Sequence, residues 1–471
     1  MPQIVDTLNG LFGAAVSVTN DRVKVNDAGP LAGPAMDTLV RAAVFDDDPG
    51  RSHARWLLWE LGQTVGVRPA SIQELYMARG RGEVHGFTVP AINVRGMAYD
   101  TARAIFRTAV RMHAGAFILE IARSEIAYTA QRPSEYVTVL LAAALREGFR
   151  GPVFIQGDHF QVNAKKFAAD PTGEVAAVKQ LALEAVSAGF YNIDVDTSTL
   201  VDISLPTLDA QQERNYETAA EIAAYVRSIE PEGVTISIGG EIGEVGTQNS
   251  TVPELRAFMG GFVKALERRA PGAVGLSKIS VQTGTSHGGV VLPDGGIADV
   301  KLDLEALEAL SKVARDEFGM AGAVQHGAST LPESAFDNFP RIETAEIHLA
   351  TNFQNILFEQ MPSQLRDRIY KWLDENASEE RKKGDSDEQF YYKSRKKALG
   401  PFKRELWELP EQEKEKLAKT YDKTFSFLFE QLRIGGTSDA VTRFVSAPVQ
   451  RRRTSGGVAV EAAPDDPDAG E

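Results

Sequence analysis

The stretch "IQGDHF", Ile155 to Phe160, ends an apolar run with an acid beside an imidazole. Asp158 can move a proton, and His159 can do the same or bind a metal ion. The chain has seven histidines. Three more of them stand at or inside similar apolar runs: His287 in "QTGTSHGG", His326 in "VQHGAS" and His348 in "EIHLAT". The segment "GGEIGEVG" adds Glu241 and Glu244. A lone histidine in such a place is ordinarily a hydrogen-bonded structural residue. Three of them close to glycine and other small residues change that reading. Imidazole nitrogen is the commonest metal ligand, and three neutral imidazoles with an open position make a catalytic zinc site. An Asp158 carboxylate beside such an ion stays ionised. No cysteine is present, so thiolate ligands, cysteine nucleophiles and disulfides are excluded.

These residues need a scaffold that brings distant segments together. Residues 80–358 supply an alternation of short β-rich runs with amphipathic helical stretches. The strand candidates are "FTVPAINV", "AFILEIA", "GPVFIQ", "YNIDVD", "TISIGG", "LSKISVQT", "GAVQ" and "AEIHLA". Between them lie stretches such as "PSEYVTVLLAAALREG" and "DLEALEALSKVARDEFG", several closing on glycine as a helix C-terminus does. Eight β-then-α units predict an α/β fold closed as a (β/α)8 TIM barrel. A doubly wound open sheet is the alternative, weakened because no G-x-G-x-x-G follows the first strand. Barrel strands bury both faces and open at their C-terminal ends into the loops that carry chemistry. Neighbouring strand residues point to opposite sides. Asp158 and His159 therefore share a site only if the chain has already turned, and Gly157 is the residue expected to permit it.

The remainder flanks this unit. Residues 1–79 read as a helical N-terminal extension and 359–440 as a charged helical C-terminal extension. Residues 441–471 are Gly-, Pro- and acid-rich after a basic cluster and read as a disordered tail. All four tryptophans lie in the two flanks, which predicts that the flanks are folded against something. The chain is 471 residues long with formal net charge −14. That charge argues against a nucleic-acid or anionic-membrane binder. The N-terminus has no basic region ahead of its apolar residues and no apolar run spans a bilayer, so the expectation is a soluble cytoplasmic protein. The basic groups "RKK" and "KSRKK" are interleaved with acids and read as a solvated helix face.

The serial landmarks "GDH", "EIGEVG", "GTSHGG", "HGAS" and "HLAT", with the opening "GFTVPAINVRG", resemble the class II, metal-dependent ketose-bisphosphate aldolases, which include fructose- and tagatose-bisphosphate enzymes. The resemblance implies zinc on His159, His287 and His326, with Glu241 near the metal. It implies Asp158 as acid/base and Asp194 at a second, weaker cation position, some members also using a monovalent cation. It places Gly288, Gly327, Ala328, Ser329 and Thr351 in the phosphate loops, with Asn93 and His348 also at the substrate. It further implies a sugar phosphate in carbohydrate metabolism as the small-molecule partner, no nicotinamide or flavin, and a dimer or larger homo-oligomer.

This chain departs from that pattern in three places. No acid stands between Thr247 and Pro253, where the family carries a mobile glutamate. No lysine follows His287 before Lys301. His348 replaces an asparagine on the eighth strand. Two rival readings follow: an aldolase-like accessory subunit that has lost activity, or a Schiff-base aldolase using Lys278. Lys278 stands near the start of its strand, and is expected to be a surface or interface residue.

Overall fold

The computed structural model of the chain describes residues 2–243, 248–284, 302–454 and 461–466. Eight parallel strands lie among them in the order the sequence predicts: β1 Val89–Asn93, β2 Ile118–Ala122, β3 Gly151–Gln161, β4 Asn192–Asp196, β5 Ser237–Glu241, β6 Lys278–Val281, β7 Ala323–Gln325 and β8 Glu346–Leu349. Each pairs with its successor, and β8 pairs back onto β1 through Glu346↔Val89 to Leu349↔Ile92. The sheet is therefore a closed (β/α)8 barrel, and the open-sheet alternative is excluded. The long helices between strands, such as Pro133–Arg146, Pro171–Ala188 and Leu304–Phe318, match the amphipathic stretches. Gly189 and Gly319 end two of them at positive φ, where a side chain is strained.

The third strand answers how Asp158 and His159 reach one site. β3 runs on to Gln161, with a register shift against β4 between Gly157 and Phe160. The residue that turns is His159 itself, at φ 38°, and not Gly157. Gly157 has a different role: a Cβ there would lie 2.4 Å from the Phe160 ring. The bulge tucks Phe160 into the core and leaves both polar residues at the barrel mouth.

The N-terminal flank is more than helices. It holds an antiparallel pair, Val16–Thr19 with Arg22–Val25, and a short strand, Val67–Ala70, parallel to the first half of β3. The Asn192 side chain stitches that strand to the barrel, accepting from the Ile72 N–H and donating to the carbonyls of Ala70 and Ile155. The C-terminal helix Glu411–Gln431 lies along the barrel helix Ala98–Met112, fixed by Arg107–Asp422. Trp407 stacks on Tyr99 and meets Phe45 edge-on, joining C-terminal flank, barrel and N-terminal flank. Among the described residues no helix is long and apolar enough to cross a membrane.

The tail differs from the disordered segment expected from residue 441. A helix, Ser438–Phe444, crosses that boundary, and the chain beyond it is pinned to the N-terminal flank. The Trp56 and Trp59 indoles donate to the carbonyls of Arg452 and Gln450. The Arg452 guanidinium lies 3.3 Å above the Trp59 ring, and Glu60 accepts from Arg451 and from the Arg452 N–H. Composition describes a chain with too few apolar groups to fold alone. It does not register that such a chain can supply carbonyls and one cation to a waiting aromatic surface.

Candidate metal and acid–base centre

The mouth of the barrel collects the expected side chains and several others. His159 and His326 face each other, Nε2 to Nδ1, at 3.1 Å. Each ring is oriented from its far side. His159 Nδ1 lies 2.9 Å from the Asp196 carboxylate, and His326 Nε2 lies 3.0 Å from Ser280 Oγ. Glu241 Oε2 approaches His159 at 3.4 Å. One donor atom from each of His159, Glu241 and His326 fits within a 4.8 Å span, and the same holds for Asp158, His326 and His348. Two nitrogens bound to one ion at about 2.1 Å stand about 3.0–3.4 Å apart, and a carboxylate partner on the far ring nitrogen is what ligating histidines carry. The donor set therefore fits a divalent cation. His287 and Gly288 lie outside the described residues, as does Glu244.

Below this layer the barrel interior is charged. Lys278 Nζ sits 3.0 Å from Asp194 Oδ1 and 2.5 Å from Glu346 Oε1, and donates to Gln156. Its side chain is 1% exposed, so the surface or interface expectation for Lys278 is corrected: it points into the barrel. Tyr76, from the N-terminal flank, donates to Glu346 from below. Asp194, expected at a second cation position, faces the Lys278 ammonium group. His348 bridges the two layers. Its Nδ1 lies 3.1 Å from Glu120 and 3.2 Å from Asp158, and its Nε2 lies 2.8 Å from Glu346.

The electrostatics follow from this crowding. Burial, then the nearby Asp158 charge, pushes the Glu120 carboxyl up to about 7. Burial likewise raises Asp194 to about 6 although Lys278 opposes it. Burial also works against Glu346, but Lys278 and His348 outweigh it and hold that carboxyl at about 2. Burial disfavours the Lys278 charge, yet Asp194 and Glu346 keep its pKa above the ordinary lysine value. Lys278 is thus a fully charged structural ion, the opposite of an activated amine nucleophile.

The remaining predicted residues sit around the rim. Gly327 takes φ 69°, and Ala328 and Ser329 follow in a short 3-10 turn. Ser329 Oγ accepts from the Ala350 N–H, tying the β7 loop to the end of β8, and Thr351 opens the helix Thr351–Gln360. Asn93 ends β1, and its amide donates to Glu125, which also pairs with Arg95. Asn93, Arg95, Gln354 and Tyr421 line one cavity, so the C-terminal extension contributes a wall beside the mouth. Sequence reasoning missed Glu120, Gln156, Asp196, Ser280 and Glu346. Their signal was present: each is a polar residue inside an apolar strand, and Asp194 and Asp196 share a face by the two-residue period.

The family described as fructose-bisphosphate aldolase class-II matches residues 80–406. The chain belongs to that family. Among solved structures, the chain resembles the fructuronate-tagaturonate epimerase UxaE from Cohnella laeviribosi at TM-score 0.56 and 12% identity, covering 88% of this chain and 93% of that one. It also matches the YdjI aldolase from Escherichia coli K12 (TM-score 0.47, 12% identity, 78% and 99% covered) and the fructose-bisphosphate aldolase from Campylobacter jejuni (TM-score 0.45, 16% identity, 76% and 93% covered). A search of curated proteins finds no match. At these identities the likeness is one of fold.

Proposed function

We propose that this chain is a zinc-dependent lyase that reversibly cleaves a phosphorylated ketose into dihydroxyacetone phosphate and an aldehyde. The observation that carries the reading is the convergence of His159, His326 and Glu241 with Asp158 alongside, at the end of the barrel where catalytic loops gather. Those three, with His287, would hold the ion, and the ion would supply Lewis-acid stabilisation of oxygen charge. The chain's own residues do the rest. Asp158 takes the proton from the substrate hydroxyl that becomes the aldehyde. Ser280 and Asp196 fix the two imidazole planes. The turn at Gly327–Ser329 and the start of the helix at Thr351 offer backbone N–H groups to a phosphate. The missing lysine after His287 favours a substrate other than fructose 1,6-bisphosphate. A cytoplasmic homodimer, with a monovalent cation near the phosphate, completes the proposal.

A second reading has one specific observation in its favour. The epimerase structure aligns with 88% of this chain at TM-score 0.56. Breaking a C–C bond, turning the aldehyde over and remaking the bond inverts one carbon with the same acid/base. A ketose acid with no phosphate would then be the substrate. The test is one assay panel of ketose mono- and bisphosphates and ketose uronates, scored for both cleavage and epimer formation. Asp158→Asn should lose about 10²–10⁴-fold in kcat while keeping its metal. No turnover of any member, with zinc restored, would leave the accessory-subunit reading standing.

A further inference from the structure

His159 is held in a left-handed backbone conformation, φ 38°, which is uncommon for a residue other than glycine. The surroundings form a chain of contacts that runs to Asp466 in the C-terminal segment. His159 Nδ1 meets Asp196 Oδ2 at 2.9 Å, and Gln161 Nε2 donates to that same oxygen at 2.7 Å. The Ser198 N–H and hydroxyl hold the other Asp196 oxygen. The Gln161 carbonyl accepts from Arg123 Nη1 at 2.6 Å. Arg123 also pairs with Glu174, and its Nη2 lies 3.4 Å from Asp466. Lys166 Nζ reaches the same Asp466 oxygen at 3.0 Å. Arg123 and Asp466 are 3% and 1% exposed at their side chains. That carboxylate faces two cations at ion-pair distance, without a hydrogen bond to either.

We propose that Asp466 is a positioning residue for the metal ligand His159, acting through Arg123, Gln161 and Asp196. The inference rests on the metal reading above. The tail segment is docked independently of that contact: Glu184 accepts from the Ala463 N–H, Gln180 donates to the Glu461 carbonyl, and Arg132 pairs with Asp465. Asp465 therefore serves as a control, a neighbouring ion pair whose carboxylate is 62% exposed and meets Arg132 rather than the Arg123–Gln161–Asp196 chain. Removing the Asp466 charge leaves Arg123 with Glu174 and the Gln161 carbonyl only, and the end of β3 loses one of its braces.

The experiment is cobalt(II) titration of the full chain after chelation and dialysis, read by visible absorption and by dissociation constant. The wild-type chain, Asp466→Asn and Asp465→Asn are compared, with thermal unfolding of the metal-free proteins measured in parallel. Asp466→Asn should weaken cobalt binding by about tenfold, the low end for groups that brace a ligand, and alter the absorption bands. Its metal-free form should unfold at a lower temperature than Asp465→Asn, because Arg123 loses a buried partner. Affinity and spectrum are therefore read well below both unfolding temperatures. The cobalt binding of Asp465→Asn should equal the wild type. Equal affinity and spectrum in Asp466→Asn overturn the inference while leaving the metal reading intact. Equal weakening in both variants also overturns it, since tail docking in general would then be the cause. A wild-type chain that binds no cobalt overturns the metal reading and this inference together.

Discussion

Glu120, Asp158, Asp194 and Glu346 bring four carboxyl groups into one barrel interior against the single ammonium of Lys278 and the imidazole of His348. Such a group is stable only as a unit. Lys278→Met would leave Glu346 and Asp194 buried without their cation, and should cost about 3–5 kcal/mol in a urea unfolding experiment. The wild-type chain should show no borohydride trapping at Lys278, because a lysine held in its charged form forms no Schiff base. The pH dependence carries a definite sign. Glu120 titrates near 7 folded and Asp194 near 6, both above their unfolded values, so the folded state binds the extra protons. Stability of the chelated protein should therefore fall as pH rises from about 4 to 7. Glu346, held at about 2, acts in the other direction, and its contribution is lost only as pH falls below about 4.5. Glu120→Gln should flatten the decline between pH 4 and 7, by up to about 3 kcal/mol; a variant whose slope matches the wild type would show that Glu120 is not the group responsible. The sequence marks Asp158, Asp194 and His348 as site residues and shows Glu120 and Glu346 as polar residues inside apolar strands, but not that they meet. Lys278 read as a surface residue because its partners, Asp194 and Glu346, come from other strands, and a chain read from end to end does not show which strands face each other across a barrel.

The elements were legible where their signal is local. Each of the eight strands is an apolar run bounded by turn residues, and each appears where the run predicts. The misses occur where a short or interrupted element depends on a neighbour. "VRPA", Val67–Ala70, carries an arginine and a proline and forms a strand only because β3 and Asn192 offer it partners. The bulge in β3 was expected to turn at Gly157, when that glycine instead makes room for the Phe160 ring. Gly157→Ala should therefore cost about 1–3 kcal/mol by overpacking, and should weaken metal binding by displacing His159. Combining it with Phe160→Leu should restore much of the stability, which a double-mutant cycle in guanidinium would measure. If the two changes are additive, the ring contact is not the reason for the glycine.

At the scale of the molecule, the flanks close on each other around the barrel. Four tryptophans outside the barrel announced folded flanks, and Trp407 against Tyr99 and Phe45 bears that out. The acidic, proline-containing end gave no such signal, because its contacts use carbonyls, one guanidinium and one carboxylate. Arg452→Ala removes the cation above Trp59 and should lower stability by about 1–2 kcal/mol. It should also expose residues 445–454 to limited proteolysis before the barrel opens; simultaneous loss of both would mean that strap and barrel unfold as one unit.

The hydrogen bond from Trp59 to the Gln450 carbonyl spans 391 residues of sequence. Closing so long a loop is entropically dear and comes late. During synthesis the N-terminal helices emerge well before residues 450–452, so Trp56, Trp59 and Glu60 wait with these donors and acceptors unmatched until that segment leaves the ribosome. Until then the nascent chain presents a bare aromatic face to any chaperone that binds one, and emergence of residues 450–452 is the event that covers it.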